Sequence, residues 1–104
     1  MTSKTKTYNI GASELFGLIQ KVLRETNLRV KNVNREQRVI FASTEASGFS
    51  WGEEYEIKIT ALKGNRSKIT VSSTPKVFIN LFAIGSARSN IADFFETLKK
   101  RVGS

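Results

Sequence analysis

From Glu54 to Ala61 the chain alternates without a break. Tyr55, Ile57, Ile59 and Ala61 are apolar, and Glu54, Glu56, Lys58 and Thr60 are polar. A period of two predicts a strand with one buried and one solvated face. Lys63-Gly64-Asn65-Arg66 then reads as a hairpin turn. In the returning strand Ile69 and Val71 point inward, with Lys68, Thr70 and Ser72 outward, and Thr74-Pro75 stops it because proline cannot donate to the ladder.

Upstream, Leu15, Leu18, Ile19, Val22 and Leu23 recur at helical spacing, with Gln20, Lys21, Arg24 and Glu25 on the other side. Ser13 is the expected N-cap, Glu14 suits the positive end of the helix, and Asn27 is the expected stop. Lys4 to Asn9 alternates weakly and predicts a first edge strand. Leu28-Arg29-Val30-Lys31 predicts a strand whose phase breaks at Val33, which implies a bulge. Asn34 to Gln37 is a polar turn, and the continuous apolar run Val39-Ile40-Phe41-Ala42 fits an interior strand. Ala46 to Ser50 reads as a loop. Near the end, Ser86 is placed to cap a helix whose buried stripe is Ala87, Ile91, Phe94, Phe95, Leu98 and Val102. Lys99, Lys100 and Arg101 sit in its last turn.

The expected order is β-α-β-β-β-β-α in one α+β domain over residues 1–104. It forms a single curved antiparallel sheet with both helices packed on one face. At 104 residues the chain suffices for one core, not two. The opposite sheet face, with Glu54, Glu56, Lys58, Lys68, Thr70 and Ser72, is solvated or an interface, and its carboxylates are expected to pair with Lys58 and Lys68 across the sheet.

Composition removes chemistry before it suggests any. The chain has no His and no Cys, yet a net charge of +8. Histidine is the usual proton shuttle near neutral pH, and both residues are standard zinc ligands and members of nucleophile pairs. Most hydrolases, thiol enzymes and zinc sites are thereby struck out, and neither a metal nor a cofactor is expected. The charge is evenly spread, +4 on residues 1–45 and +4 on residues 46–104, so there is no polybasic arm. Such a balance favours encounter with nucleic acid, an anionic membrane or an acidic protein without choosing among them. No apolar run reaches membrane-spanning length, and no apolar stretch follows the basic start as a signal peptide requires. A cytoplasmic protein is the expectation.

This element order, with a terminal helix held against a meandering sheet, resembles the helix-grip or TATA-binding-protein-like topology of several small bacterial domains. A second likeness is local. Val71-Ser72-Ser73-Thr74-Pro75, an apolar linker and Gly85-Ser86-Ala87-Arg88-Ser89-Asn90-Ile91 are similar to a segment of uncharacterised bacterial domains. There a strand ending in Ser and Pro leads through a Gly-x-x-x-x-Asn-Ile/Val turn into the last helix. The resemblance implies a ligand cavity between sheet and helices but no catalytic residues. The chain departs from the DNA-binding namesake, which uses two tandem copies and an intercalating aromatic pair.

Among the acids, Glu53, Glu54 and Glu56 cluster in sequence, but neighbours on one strand do not give the opposed carboxyls of a glycosidase. Glu53 differs from the other two because it points with Tyr55 to the core side, near Trp51. No Gly-rich phosphate loop is present. The helix start at Gly85-Ser86-Ala87, with Arg88 beside it, is a candidate anion site. Lys63, Arg66 and Lys68 around the hairpin, with Arg88, form the candidate basic surface, but the outward sheet positions lack the aromatics that stack bases. The strongest lead is the apolar stretch 77–84. Phe78, Leu81 and Phe82 fall at i, i+3, i+4 and either close the core or gate a cavity. The segment holds more apolar side chains than a connector of this size hides, so some of them, such as Val77, Ile79 or Ile84, would be left exposed as a contact patch.

The sequence therefore predicts a non-enzymatic binding or accessory domain. It contacts a protein partner, a second copy as a homodimer, or a small apolar ligand. The contact residues are Trp51, Val77, Phe78, Ile79, Leu81 and Phe82 together with the sheet–helix groove. The alternative is a nucleic-acid or anionic-membrane binder working through distributed Lys and Arg.

Overall fold

The computed structural model describes residues 2–44, 53–75 and 83–102. Seven elements follow in the expected order: β1 (Thr2–Tyr8), α1 (Ala12–Leu23), β2 (Arg29–Asn34), β3 (Val39–Ser43), β4 (Glu53–Leu62), β5 (Arg66–Pro75) and α2 (Ala83–Val102). The strands form one antiparallel sheet in the order β1-β5-β4-β3-β2. β2 to β5 is a meander of successive neighbours, and β1 closes its far side by pairing with β5.

The alternation of β4 holds as far as Ile59: Glu53, Tyr55, Ile57 and Ile59 are buried, and Glu54, Glu56 and Lys58 are exposed, whereas Ala61, expected inward, is exposed where the strand runs out toward the hairpin. Both helices lie on that buried face. Leu15, Ile19 and Val22 of α1 and Ile91, Phe94 and Leu98 of α2 join Ile40, Tyr55, Ile57, Ile69 and Val71 in one core. Each such side chain contributes roughly 1.5–3 kcal/mol through removal from water. Phe94 and Phe95 meet edge to face, with ring centroids 5.2 Å apart. In β3 only Phe41 is exposed, as an interior strand predicts.

The β4–β5 hairpin turns through Gly64 at φ +72° and Asn65 at φ +57°, the left-handed pair that matches strand twist. The bulge in β2 is real. Val30 pairs with Ala42 and Asn32 with Phe41, so Lys31 is the extra residue, and Val33 returns to the inward phase opposite Ile40.

Four local expectations are corrected. Gly11, not Ser13, is the N-cap of α1, and no side chain caps it. Ser13 lies inside the first turn, where its Oγ accepts from Arg38 Nη2 at 3.5 Å. α1 ends at Leu23 rather than Asn27 because Thr26 Oγ1 donates to the Leu23 carbonyl and accepts from the Leu28 amide, turning the chain toward β2. α2 begins at Ala83, so Ser86 is no cap, and the Gly85–Asn90 stretch is helix rather than a turn. Ala83, Ile84 and Gly85, rather than Gly85-Ser86-Ala87, therefore occupy its first turn, where backbone N–H groups lack intrahelical partners. On the outer face Glu56 stands between Phe41 and Ser72, Lys58 between Val39 and Thr70, and Lys68 opposite Thr60. The register thus places neither lysine opposite a carboxylate.

Candidate functional site

The inward row of each strand changes character at the start of β4. Ile40 and Ala42 are followed in the same phase by Thr44, Ile57 is preceded by Tyr55 and Glu53, and Val71 is followed by Ser73. α2 answers with Asn90, one helical turn before Phe94 and on the same stripe. Four of these residues form one polar network within the apolar face.

Glu53 is its centre and is 2% exposed. Tyr55 donates its phenolic proton to Glu53 Oε1 at 3.0 Å, and the Asn90 amide nitrogen donates to the same oxygen at 3.4 Å. The Thr44 hydroxyl donates to Oε2 at 3.3 Å and accepts from the Glu53 amide at 3.0 Å. Asn90 also donates to the Tyr55 hydroxyl at 3.0 Å. Local pairing sets this geometry, since the Thr44 amide bonds the Glu53 carbonyl at 3.1 Å. Among the described residues no buried side-chain polar atom lacks a partner.

Burial pushes the Tyr55 phenol well above its ordinary range. The Asn90 hydrogen bond opposes that shift, while the Glu53 charge and hydrogen bond reinforce it. Tyr55 is therefore a fixed neutral donor at physiological pH, not a base. Glu53 has both oxygens engaged. Asn90 is half-buried, and its carbonyl oxygen accepts no hydrogen bond among the described residues. Among the described residues that oxygen is acceptor capacity the network leaves at the surface. Among the described residues no cluster of three metal-ligating side chains occurs.

A second feature borders α2. Lys4, Lys6 and Tyr8 of β1 share the inward face, since Lys4 pairs with Val71 and Lys6 with Ile69. The two ammonium groups sit 5.7 and 5.2 Å from the ring centroid of Phe95. Their stems cover the ring, which is 2% exposed.

Of the residues singled out from sequence, Glu53 and Tyr55 are brought together as expected. Trp51, Val77, Phe78, Ile79, Leu81 and Phe82 lie outside the described residues. Lys63, Arg66 and Lys68 cluster at the hairpin, but Arg88 lies on α2 two residues before Asn90. Asn90 bonds Glu53 at the opposite end of β4, about 30 Å along the strand, so the four cations do not form one surface. Asn90 and Thr44 were missed. Their signal was available, as each is a polar residue in the phase of an apolar stripe. Among the described residues no helix is long and apolar enough to cross a membrane.

No family model and no curated protein matches the chain. Solved structures do. The di-domain ARO/CYC BexL from the BE-7585A biosynthetic pathway superposes with a TM-score of 0.73 at 12% identity, over 97% of this chain and 45% of that one. The chain thus spans less than half the length of BexL. An uncharacterised protein from Bacillus thuringiensis gives 0.67 at 14% identity over 96% of both chains. Ara h 8.0201 gives 0.63 at 9% identity over 97% of this chain and 95% of that one. At such identities the likeness establishes architecture alone: the chain has a helix-grip α+β fold.

Proposed function

We propose that this domain binds rather than converts. It takes a small, largely apolar ligand in the groove between the helix-bearing sheet face and α2, and a hydroxyl or amide N–H of that ligand donates to Asn90. The observation that carries this reading is the Asn90 carbonyl oxygen, which accepts no hydrogen bond among the described residues and is fixed by two hydrogen bonds from its amide to a buried Tyr–Glu pair. An amide held in this way is preorganised, so a ligand loses little by ordering it. A few placed polar groups in an apolar surround are the usual make-up of a ligand site. Glu53, with both oxygens occupied, and Tyr55, a neutral phenol, offer no ready base or nucleophile, which supports a non-enzymatic role.

Native mass spectrometry of protein purified without detergent tests the reading. A co-purifying small mass that disappears in Asn90→Leu is the expected result. A bare monomer, or a small mass retained by Asn90→Leu, would overturn it. A clean dimer without added mass would instead assign the surface to self-association.

A further inference from the structure

At the C-terminal end of α1 lies a cleft of about 410 Å³, away from the Glu53 network, lined by Gln20, Leu23, Arg24, Leu28, Arg29 and Val30. Its base is aliphatic. Leu23 and Leu28 are buried, and Val30 is 44% exposed, one of the few large apolar side chains left to solvent. Arg24 and Arg29 line the same cleft. The nearest carboxylate in sequence is Glu25, and it is turned away: Arg101 Nε donates to Glu25 Oε2 at 3.0 Å, and Arg101 Nη2 donates to Oε1. Both Glu25 oxygens are thereby taken by α2, and the pairing with Arg101 holds the carboxyl below the usual range. The Arg24 side chain makes no ion pair or hydrogen bond among the described residues.

One local effect opposes an anion here. The last carbonyls of α1 carry about half a negative charge in total. Arg24 supplies one full positive charge, and Lys21 in the last turn a second. The cationic side wins.

We infer that this cleft is a second binding site, taking a soluble aliphatic carboxylate with its chain on Leu23, Leu28 and Val30 and its head on Arg24. A guanidinium presents paired N–H donors in the plane that a carboxylate accepts. Branched aliphatic side chains suit an alkyl chain better than a planar ring, which would find no aromatic face to stack on. The site is independent of the groove proposed above, and each can fail without the other.

Octanoate, with octanol as its neutral match, tests the inference by methyl and amide NMR on the intact protein. Octanoate is expected to shift Leu23, Leu28 and Val30 saturably, and octanol to bind much more weakly. Arg24→Glu should weaken octanoate about tenfold or more, and Val30→Asp, at an exposed position, should do the same without loss of folded signals. Shifts confined to Ile91 and Phe94, equal binding of octanol, or indifference to both substitutions would overturn it. So would binding only to phosphatidylglycerol vesicles and not to octanoate, which would assign the cations to a membrane surface.

Discussion

Tyr55 hydrogen-bonds Glu53 from two residues along the same strand, 3.0 Å from hydroxyl to carboxyl oxygen. On a pleated strand such neighbours share a face, so burying one buries the other. An interior carboxyl group is costly unless its oxygens are satisfied, and this pair, with Thr44 and Asn90, satisfies them. Removing the phenolic oxygen leaves Glu53 one donor short and Asn90 one acceptor short. Tyr55→Phe is therefore expected to cost about 1–3 kcal/mol. Glu53→Gln keeps an oxygen for Tyr55 and Asn90 and should cost less, about 1 kcal/mol. Urea denaturation of the two variants checks the order. A Tyr55→Phe, Asn90→Ala double-mutant cycle should show a coupling of at least about 0.5 kcal/mol.

The same burial makes stability depend on alkaline pH. The Tyr55 phenol is raised above its ordinary 10.0 in the fold and returns to it on unfolding. Above pH 10 the unfolded chain releases this proton while the folded chain keeps it, so stability falls as pH rises. The stabilisation is fully present below pH 10. Tyr8, also raised by burial, acts with the same sign. Denaturation midpoints are expected to be level on approach to pH 10 and to fall beyond it, less steeply in Tyr55→Phe. Equal slopes for the two proteins would contradict the assignment.

How much of this was legible in the sequence depends on whether a signal was local. The alternation from Tyr55 to Ile59 and the stripe from Leu15 to Leu23 reflect burial repeated over many residues, so element order, strand phase and core followed from them. Helix starts rest on single residues. Ser13 looks like a cap by residue type, but Gly11 takes that place and Ser13 instead meets Arg38, 25 residues away. The approach there is close, since a Cβ on Gly11 would come within 2.6 Å of the Asn65 side chain. The Glu53 network needed one more step. Glu53 was visible as an inward acid, but its partner Asn90 is 37 residues distant. Only the pairing of α2 with the sheet shows that two polar interruptions of two apolar stripes meet.

Arg38 holds a left-handed backbone conformation, φ 53°, on leaving the Asn34–Gln37 turn. The turn is fixed by the Gln37 amide donating to Asn34 Oδ1 at 3.0 Å, and the Arg38 carbonyl accepts from the Ile59 amide at 3.0 Å. A side chain at such a φ costs about 1–2 kcal/mol, whereas glycine adds unfolded-state freedom worth about 0.5–1 kcal/mol. The difference favours glycine. Arg38→Gly is expected to raise stability by up to about 1 kcal/mol, measured as the urea midpoint. A clear loss would mean that the 3.5 Å contact with Ser13 matters more than the strain.

β1 is an edge of the sheet, and its free side offers unpaired N–H and C=O groups to any second strand. Lys4 and Lys6 are inward-pointing charges on that edge, one of the devices by which edge strands avoid pairing. A second strand laid beside β1 would bring its own inward side chains against two ammonium groups already held on Phe95. Replacing both with valine keeps the strand propensity, removes the charges and enlarges the apolar rim around Phe95. The Lys4→Val, Lys6→Val variant is expected to self-associate with rising concentration more strongly than the parent chain, as read by light scattering behind size exclusion. A variant with the parent's oligomeric state at every concentration would show that the two lysines do not guard this edge.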